Sequence, residues 1–315
     1  MCYDGMRGSL CIGLTWPLST VQEAFLLQLP RPLSIREVFQ AGLVVFRHRF
    51  RTLIGASLLV LAPYLLASAY IRIRFLTFSD NDVESTLKQL EHATTLSQYL
   101  RAMPPGSAAW IALLVLLYIF LVIPLFFGIV VHVTSQHVTK RSDVTLAEAG
   151  NVSFRRLLPS VVTMVLACLL FVLAMLLYWF VLGLMVSLLS AVLAPLADVV
   201  GVIGSLAFLV GLLWFAVRAV YLPAIVTEEG LSFVRAVIRC WRMTAGQTAR
   251  LVGFSIFLTF FLSIAQTLLT VIGDILFATE GGQLLVTVLV GLLITPFAYV
   301  CLSVMYLDLR TRRTD

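Results

Sequence analysis

Long apolar runs alternate with short polar stretches along the whole chain. Six of them stand out: Leu53 to Ile71, Ala109 to Val133, a stretch opening at Leu157, Val199 to Val226, Leu251 to Ile272 and Leu284 to Leu307. A hydrocarbon core about 30 Å thick takes roughly 20 apolar residues of helix, so each run is long enough to span one. The third is ambiguous, because no charged residue occurs in the 41 positions from Leu157 to Ala197. It fits one long tilted helix with an interfacial extension, or two spans.

Charge decides between them. With six spans, 17 Lys and Arg residues fall on one side and four on the other, Arg72, Arg74, Lys88 and Arg101, while Arg218 sits within a span. A seventh span would move Arg235, Arg239, Arg242 and Arg250 across. Basic residues collect on the cytoplasmic side, so six spans with both ends in the cytoplasm are expected. The outer loops then carry Asp80, Asp82, Glu84, Glu91, Asp198, Asp274 and Glu280. The longest of them, between Arg72 and Ser107, is expected to hold a short helix with Val83, Leu87 and Leu90 on one face.

The polar segments before the first, third and fifth spans resemble one another. They read Leu33-Ser34-Ile35-Arg36-Glu37, Val144-Thr145-Leu146-Ala147-Glu148 and Leu231-Ser232-Phe233-Val234-Arg235. Each offers an apolar residue and then a hydroxyl N-cap, and the first two complete a capping box. Ser34 and Ser232 each precede their span by 19 residues. Thr145 precedes Leu157 by 12, a deficit of seven residues, or about two helical turns.

The first and third pre-span segments are amphipathic. In the first, Ile35, Val38, Phe39, Leu43, Phe46 and Phe50 follow helical spacing. In the third, Val234, Val237, Ile238 and Trp241 oppose Arg235, Arg239 and Arg242. Such helices lie in the headgroup plane, either as elbows that position the spans or as lipid-headgroup binders. The expected architecture is an all-α integral membrane protein with six transmembrane helices and cytoplasmic interfacial helices. It amounts to three parallel repeats of one interfacial helix plus two spans, related by an axis along the membrane normal.

Composition sharpens this reading. Of 315 residues, 60% are hydrophobic and 12% charged, with mean hydropathy +1.01, against about 25% charged in soluble domains. The net charge of +6 is explained by basic flanks of spans, so no nucleic-acid partner is expected. The five cysteines include no CxxC pair, and neither a disulfide framework nor a zinc site is expected. Residues 1–30 form an N-terminal extension. Pro17, Gln22 and Glu23 interrupt its apolar stretch, so neither a signal peptide nor a seventh span is expected there. Residues 31–315 form a single six-span domain.

No HExxH, GxSxG, GxGxxG or P-loop occurs, so no catalytic residue, metal site or cofactor is expected. His132 and His137, at a span end, read as interfacial polar residues. Arg218 is the sharpest intramembrane feature. It lies eight residues before Val226 and could snorkel to the cytoplasmic interface, bond a carbonyl or bind an anion. Gln266, in the fifth span, is the other intramembrane polar candidate, with interhelical hydrogen bonding as its simplest role. Pro124, Pro223 and Pro296 fall in the second, fourth and sixth spans, where kinks could shape a shared cavity or a gate, and where packing alone explains them equally well.

The stretch from Val217 through Arg218, Tyr221 and Pro223 to Val226, followed by Ala236 to Thr244 with Gly246 and Arg250, resembles the bacterial glycerophosphoryl diester phosphodiesterase membrane domain family. The ending Met305-Tyr306-Leu307-Asp308-Leu309-Arg310-Thr311-Arg312-Arg313 is similar to that family's closing tyrosine, Asp-Leu-Arg and basic tail. The opening Leu33 to Pro63 fits as well. The resemblance implies a membrane architecture. It does not imply the activity of the catalytic domain to which such domains are fused. His48-Arg49 lies in a basic amphipathic segment, and no Glu-Asn-Thr or Glu-x-Asp partner is present.

The expected role is therefore non-catalytic: a multi-pass protein of the cell membrane acting through membrane lipids, with other membrane proteins as further partners. Candidate lipid-headgroup or anion contacts are Arg218, Arg235, Arg239 and Arg242. The alternative is a transporter or lipid-handling channel with a site on the repeat axis, which requires polar residues converging at mid-membrane.

Overall fold

The computed structural model describes residues 33–71, 107–139, 144–190, 194–276 and 280–312. The expected outer-loop helix around Val83 to Leu90 and the N-terminal extension lie outside these residues. Among the described residues every regular element is helical, and six helices are long and apolar enough to cross a membrane.

α1 (Ile35–His48) starts at the predicted capping box. Glu37 N donates to Ser34 Oγ at 3.3 Å, and Ser34 N donates to Glu37 Oε2 at 2.6 Å. After Arg49 the chain turns into the first span, α2 (Phe50–Ile71). The second span comprises α3 (Ser107–Leu117), a π-helical turn over Tyr118–Val122, and α4 (Ile123–Thr139). Pro124 stands two residues beyond the wide turn. A proline lacks the N–H that would close the preceding α-turn, and widened turns commonly accommodate such a lesion.

The third apolar run is one helix, α5 (Leu146–Ser190), of 45 residues. At 1.5 Å per residue it is roughly 68 Å long, more than twice the hydrocarbon thickness. Thr145 caps it, accepting from Glu148 N at 3.3 Å. The seven-residue deficit has a structural outcome. Before the first and fifth spans a hinge separates the preceding helix from the span, but here the two are continuous.

The fourth run departs from expectation. It divides at Val220–Tyr221 into α6 (Ala194–Ala219) and α7 (Leu222–Glu229). Pro223 sits in the first turn of α7, where a missing N–H costs nothing, so it starts a helix and does not kink one. Pro296, by contrast, lies inside an unbroken helix. The three prolines are therefore not structurally equivalent.

Gly230, at φ 67°, ends α7, and α8 (Phe233–Thr244) follows. Here the expected N-cap is absent, since the Ser232 side chain makes no capping bond. Phe233 adopts φ 56°, and its N–H donates instead to Thr163 Oγ1 on α5 at 2.9 Å. The fifth and sixth spans are α9 (Thr248–Leu276) and α10 (Glu280–Thr311).

The spans pack in chain order as a ring. α2 meets α4, α4 meets α5, α5 meets α6, α6 meets α9, α9 meets α10, and α10 returns to α2. α10 and α7 also pack on α4. Phe126, Phe127, Tyr221, Ile225, Met305 and Tyr306 are fully buried among these inner elements. Burial is concentrated at the end that carries α1, α7 and α8. The α5–α6 hairpin and most of α9 present leucine, valine and phenylalanine outward, as expected where the solvent is lipid.

One packing device repeats three times. Eight residues beyond Ser34, Thr145 and Ser232 stand Gly42, Ser153 and Cys240, all buried. Each touches an even-numbered span. A Cβ on Gly42 would lie 2.7 Å from Cys301 Sγ of α10. The Ser153 hydroxyl would lie 3.1 Å from a Cβ on Gly128 of α4. Cys240 Sγ donates to Arg218 O of α6 at 3.2 Å. Small residues let helix backbones approach closely where lipid gives no hydrophobic drive.

Candidate functional site

Most polar side chains engaged between elements collect in one layer at the α1/α8 end, chiefly in three clusters, whereas the Tyr178 hydroxyl of α5 donates to Gly204 O of α6 at 2.6 Å away from it. The first is centred on Asp308, near the end of α10, which is fully buried. Leu33 N donates to its Oδ1 at 2.7 Å. Arg312 Nε donates to Oδ2 at 3.0 Å, and Arg250 Nη1 forms an ion pair with the same oxygen at 2.8 Å, off the hydrogen-bond axis. Both arginines also donate to the Leu33 carbonyl, Arg312 at 3.1 Å. One carboxylate thus ties the start of α1, the first turn of α9 and the end of α10.

The second cluster surrounds the end of α7. His132 Nδ1 on α4 lies 2.9 Å from Glu228 Oε1. Glu229 accepts from Arg239 Nε of α8 at 2.9 Å and from the Tyr306 hydroxyl of α10 at 3.2 Å. Gly230 passes so close to the Arg156 guanidinium that a Cβ there would lie 2.9 Å from Nη1. Three elements are pinned to the two-glutamate terminus of α7.

The third cluster contains Arg218, in the last turn of α6. Its side chain is 6% exposed. The guanidinium carbon sits 4.0 Å above the Trp214 ring and 5.6 Å from that of Trp241 on α8. Nη2 donates to Thr248 Oγ1, at the first residue of α9, at 2.7 Å. Nε is buried and without a hydrogen-bond partner among the described residues. Beneath it Cys240 is fully enclosed, and burial pushes its thiol up to about 12. That thiol therefore stays neutral through the physiological range. Any stability the neutral form lends is lost only as pH rises from the usual thiol range toward that value.

The candidates named from the sequence separate as follows. Arg218 stands beside the first residue of α9, at the break in its own span, and so not in mid-helix. Arg235 and Arg242 are exposed on α8, whereas Arg239 turns inward to Glu229. Gln266 is exposed on α9, and its side chain engages no neighbouring helix among the described residues. α8 itself has three faces. Ala236, Cys240, Met243 and Thr244 are buried against protein, Val234 and Ile238 face outward, and the arginines occupy the third face. The buried stripe of small residues was not anticipated, although its four-residue spacing was readable.

Asp308, Arg250, Glu228 and Glu229 were also missed as site residues. The signal for the glutamates was a Thr-Glu-Glu-Gly sequence closing an apolar run. An open apolar groove of about 330 Å³ lies between α2, the π-helical turn with α4, and α5, walled by Leu59, Pro63, Leu121, Ile129 and Phe154. Among the described residues no group of three His, Cys, Asp or Glu side chains is placed to hold a metal ion. No protein family, curated protein or solved structure matches the chain.

Proposed function

We propose that this chain is a non-catalytic protein of the cytoplasmic membrane whose working surface is its α1/α8 end, facing the cytoplasm, and whose principal ligands are membrane lipids. The observation that carries the reading is α8. Its buried stripe fixes it to the bundle while Val234 and Ile238 point outward beside exposed Arg235 and Arg242. That pattern suits a helix lying in the headgroup layer, with aliphatic side chains among acyl chains and cations among phosphates. The apolar groove beside α2 offers room for an acyl chain. The small residue eight positions after each of Ser34, Thr145 and Ser232 supports three parallel units, each bracing the even span of another.

Of the segments that resemble the glycerophosphoryl diester phosphodiesterase membrane domain family, the ones around Arg218 and Asp308 fall on this same layer, and the opening from Leu33 begins in it. The engaged charges join helices to one another, which favours a structural and recognition role over catalysis. A transporter reading draws no support from the inner elements, which meet through buried aromatic side chains. Partner proteins remain part of the proposal because of Gln266. An amide exposed on a span gains hydrogen bonds when a second helix covers it.

Native mass spectrometry of the gently extracted protein tests both parts. We expect retained phospholipid enriched in anionic species over the bulk membrane, and less of it in an Arg235→Gln/Arg242→Gln variant, at about 1 kcal/mol per charge. We expect dimers or hetero-complexes that Gln266→Leu weakens. Retained lipid of bulk composition, unchanged in the double variant, would contradict the lipid reading.

A further inference from the structure

Arg218 differs from the other strongly engaged charges in the layer. Asp308 has Arg250 and Arg312, Glu228 has His132, and Glu229 has Arg239. Arg218 is 6% exposed, and no carboxylate among the described residues pairs with it. A buried cation without a counter-charge is strongly disfavoured. The Trp214 and Trp241 rings and the α6 C-terminus offset part of that cost, but they leave Nε without an acceptor.

The guanidinium is also aimed at a specific place. Through Thr248 it touches the N-terminus of α9, a 29-residue helix. The first N–H groups of a helix lack intrahelical acceptors and carry partial positive charge. No side chain among the described residues caps α9, and the preceding Gly246 takes φ 77°. A buried, incompletely bonded guanidinium and an uncapped helix start therefore converge, and the exposed Arg242 lies in the last turn of the preceding α8.

We propose that a phosphate oxyanion completes this site, held between Arg218, the Thr248 hydroxyl and the first N–H groups of α9. The planar guanidinium fork suits a phosphate's paired oxygens, and helix N-termini bind phosphate through free N–H groups. The site lies at the hinge between amphipathic α8 and span α9, flanked by two tryptophans, which is the composition of a membrane interface. The proposal rests on the lipid reading above and names its ligand class and contact residues. The phosphate could be carried by a phospholipid headgroup or be free in solution.

The test uses the full chain in a maltoside detergent, which carries no phosphate. Thermal midpoint and intrinsic tryptophan emission are followed while phosphatidylglycerol or inorganic phosphate is added. A saturable response to phosphatidylglycerol alone identifies a lipid-borne phosphate, and the same response to inorganic phosphate identifies a free one. Arg218→Leu should abolish the saturable response. Arg218→Lys and Thr248→Ala should weaken apparent affinity by roughly five- to tenfold. They carry the test if the leucine variant does not fold. Wild-type responses in all three variants would overturn the site. If that response survives there but disappears in Arg235→Gln/Arg242→Gln, the lipid reading stands without this site. If the wild type responds to neither ligand, both fail.

Discussion

Asp308→Asn should cost the protein most of its stability. The change preserves shape but removes the one negative charge that faces Arg250 and Arg312 and accepts from Leu33 N. Breaking a buried ion pair by removing one partner costs about 3–5 kcal/mol, because the remaining charge is left uncompensated. Here two arginines are stranded beside a neutral amide, whose oxygen can still accept from Leu33 N. The expected result is a steep fall in thermal midpoint or in folded yield from detergent extracts. Arg250→Gln should be severe too, and the double variant should cost clearly less than the two losses added, since the two residues share one interaction. Additive losses would mean that the cluster does not act as a unit. For contrast, Arg239 is 35% exposed in its pair with Glu229, and Arg239→Gln should cost no more than about 1 kcal/mol.

Gly42→Ala should destabilise by about 1–3 kcal/mol, the usual penalty for overpacking. The new methyl would lie 2.7 Å from Cys301 Sγ and 3.4 Å from Cys301 Cα. The first contact is impossible without movement, and the second is tight but tolerable. The compensating change follows directly. Cys301→Ala removes the sulfur and should restore most of the lost stability in the Gly42→Ala background. Failure of that rescue would place the strain elsewhere in the α1–α10 contact. This pair also examines the recurring device, because Gly42 stands eight residues after Ser34, as Ser153 and Cys240 stand after Thr145 and Ser232.

Much of this fold was legible because lipid imposes simple rules. Every span needs a long uncharged run, and the six runs of the sequence are the six long apolar helices. The capping box at Ser34 and the hydroxyl cap at Thr145 were readable for the same local reason, since their hydroxyls serve N–H groups three residues on. The break at Val220–Tyr221 was not readable. Those residues continue the apolar pattern, and Pro223 marks a helix start only when the preceding residues have left the helix. Ser232 misled in a related way, because Phe233 N–H finds Thr163 on a different span.

Site residues divided along the same line. Arg218 was conspicuous because an arginine within an apolar run is costly wherever it points. Its true surroundings, two tryptophans and the start of α9, depend on long-range packing. Asp308 appeared as part of a tail motif, but its partners Leu33 and Arg250 lie 275 and 58 residues away in sequence. No periodicity brings such residues together. Gln266 was expected to bond a neighbouring helix, and instead it faces outward.

The whole account depends on the chain crossing the membrane six times with α8 on the cytoplasmic side. Single-cysteine accessibility in intact cells tests this most directly, using a background in which the native cysteines are replaced. We predict that Arg242→Cys, on α8, is labelled by a membrane-impermeant maleimide only after the cells are opened, whereas Lys88→Cys, between the first two spans, is labelled in intact cells. Labelling of both positions from the same side would contradict the six-span topology and, with it, the assignment of the α1/α8 end to the cytoplasm.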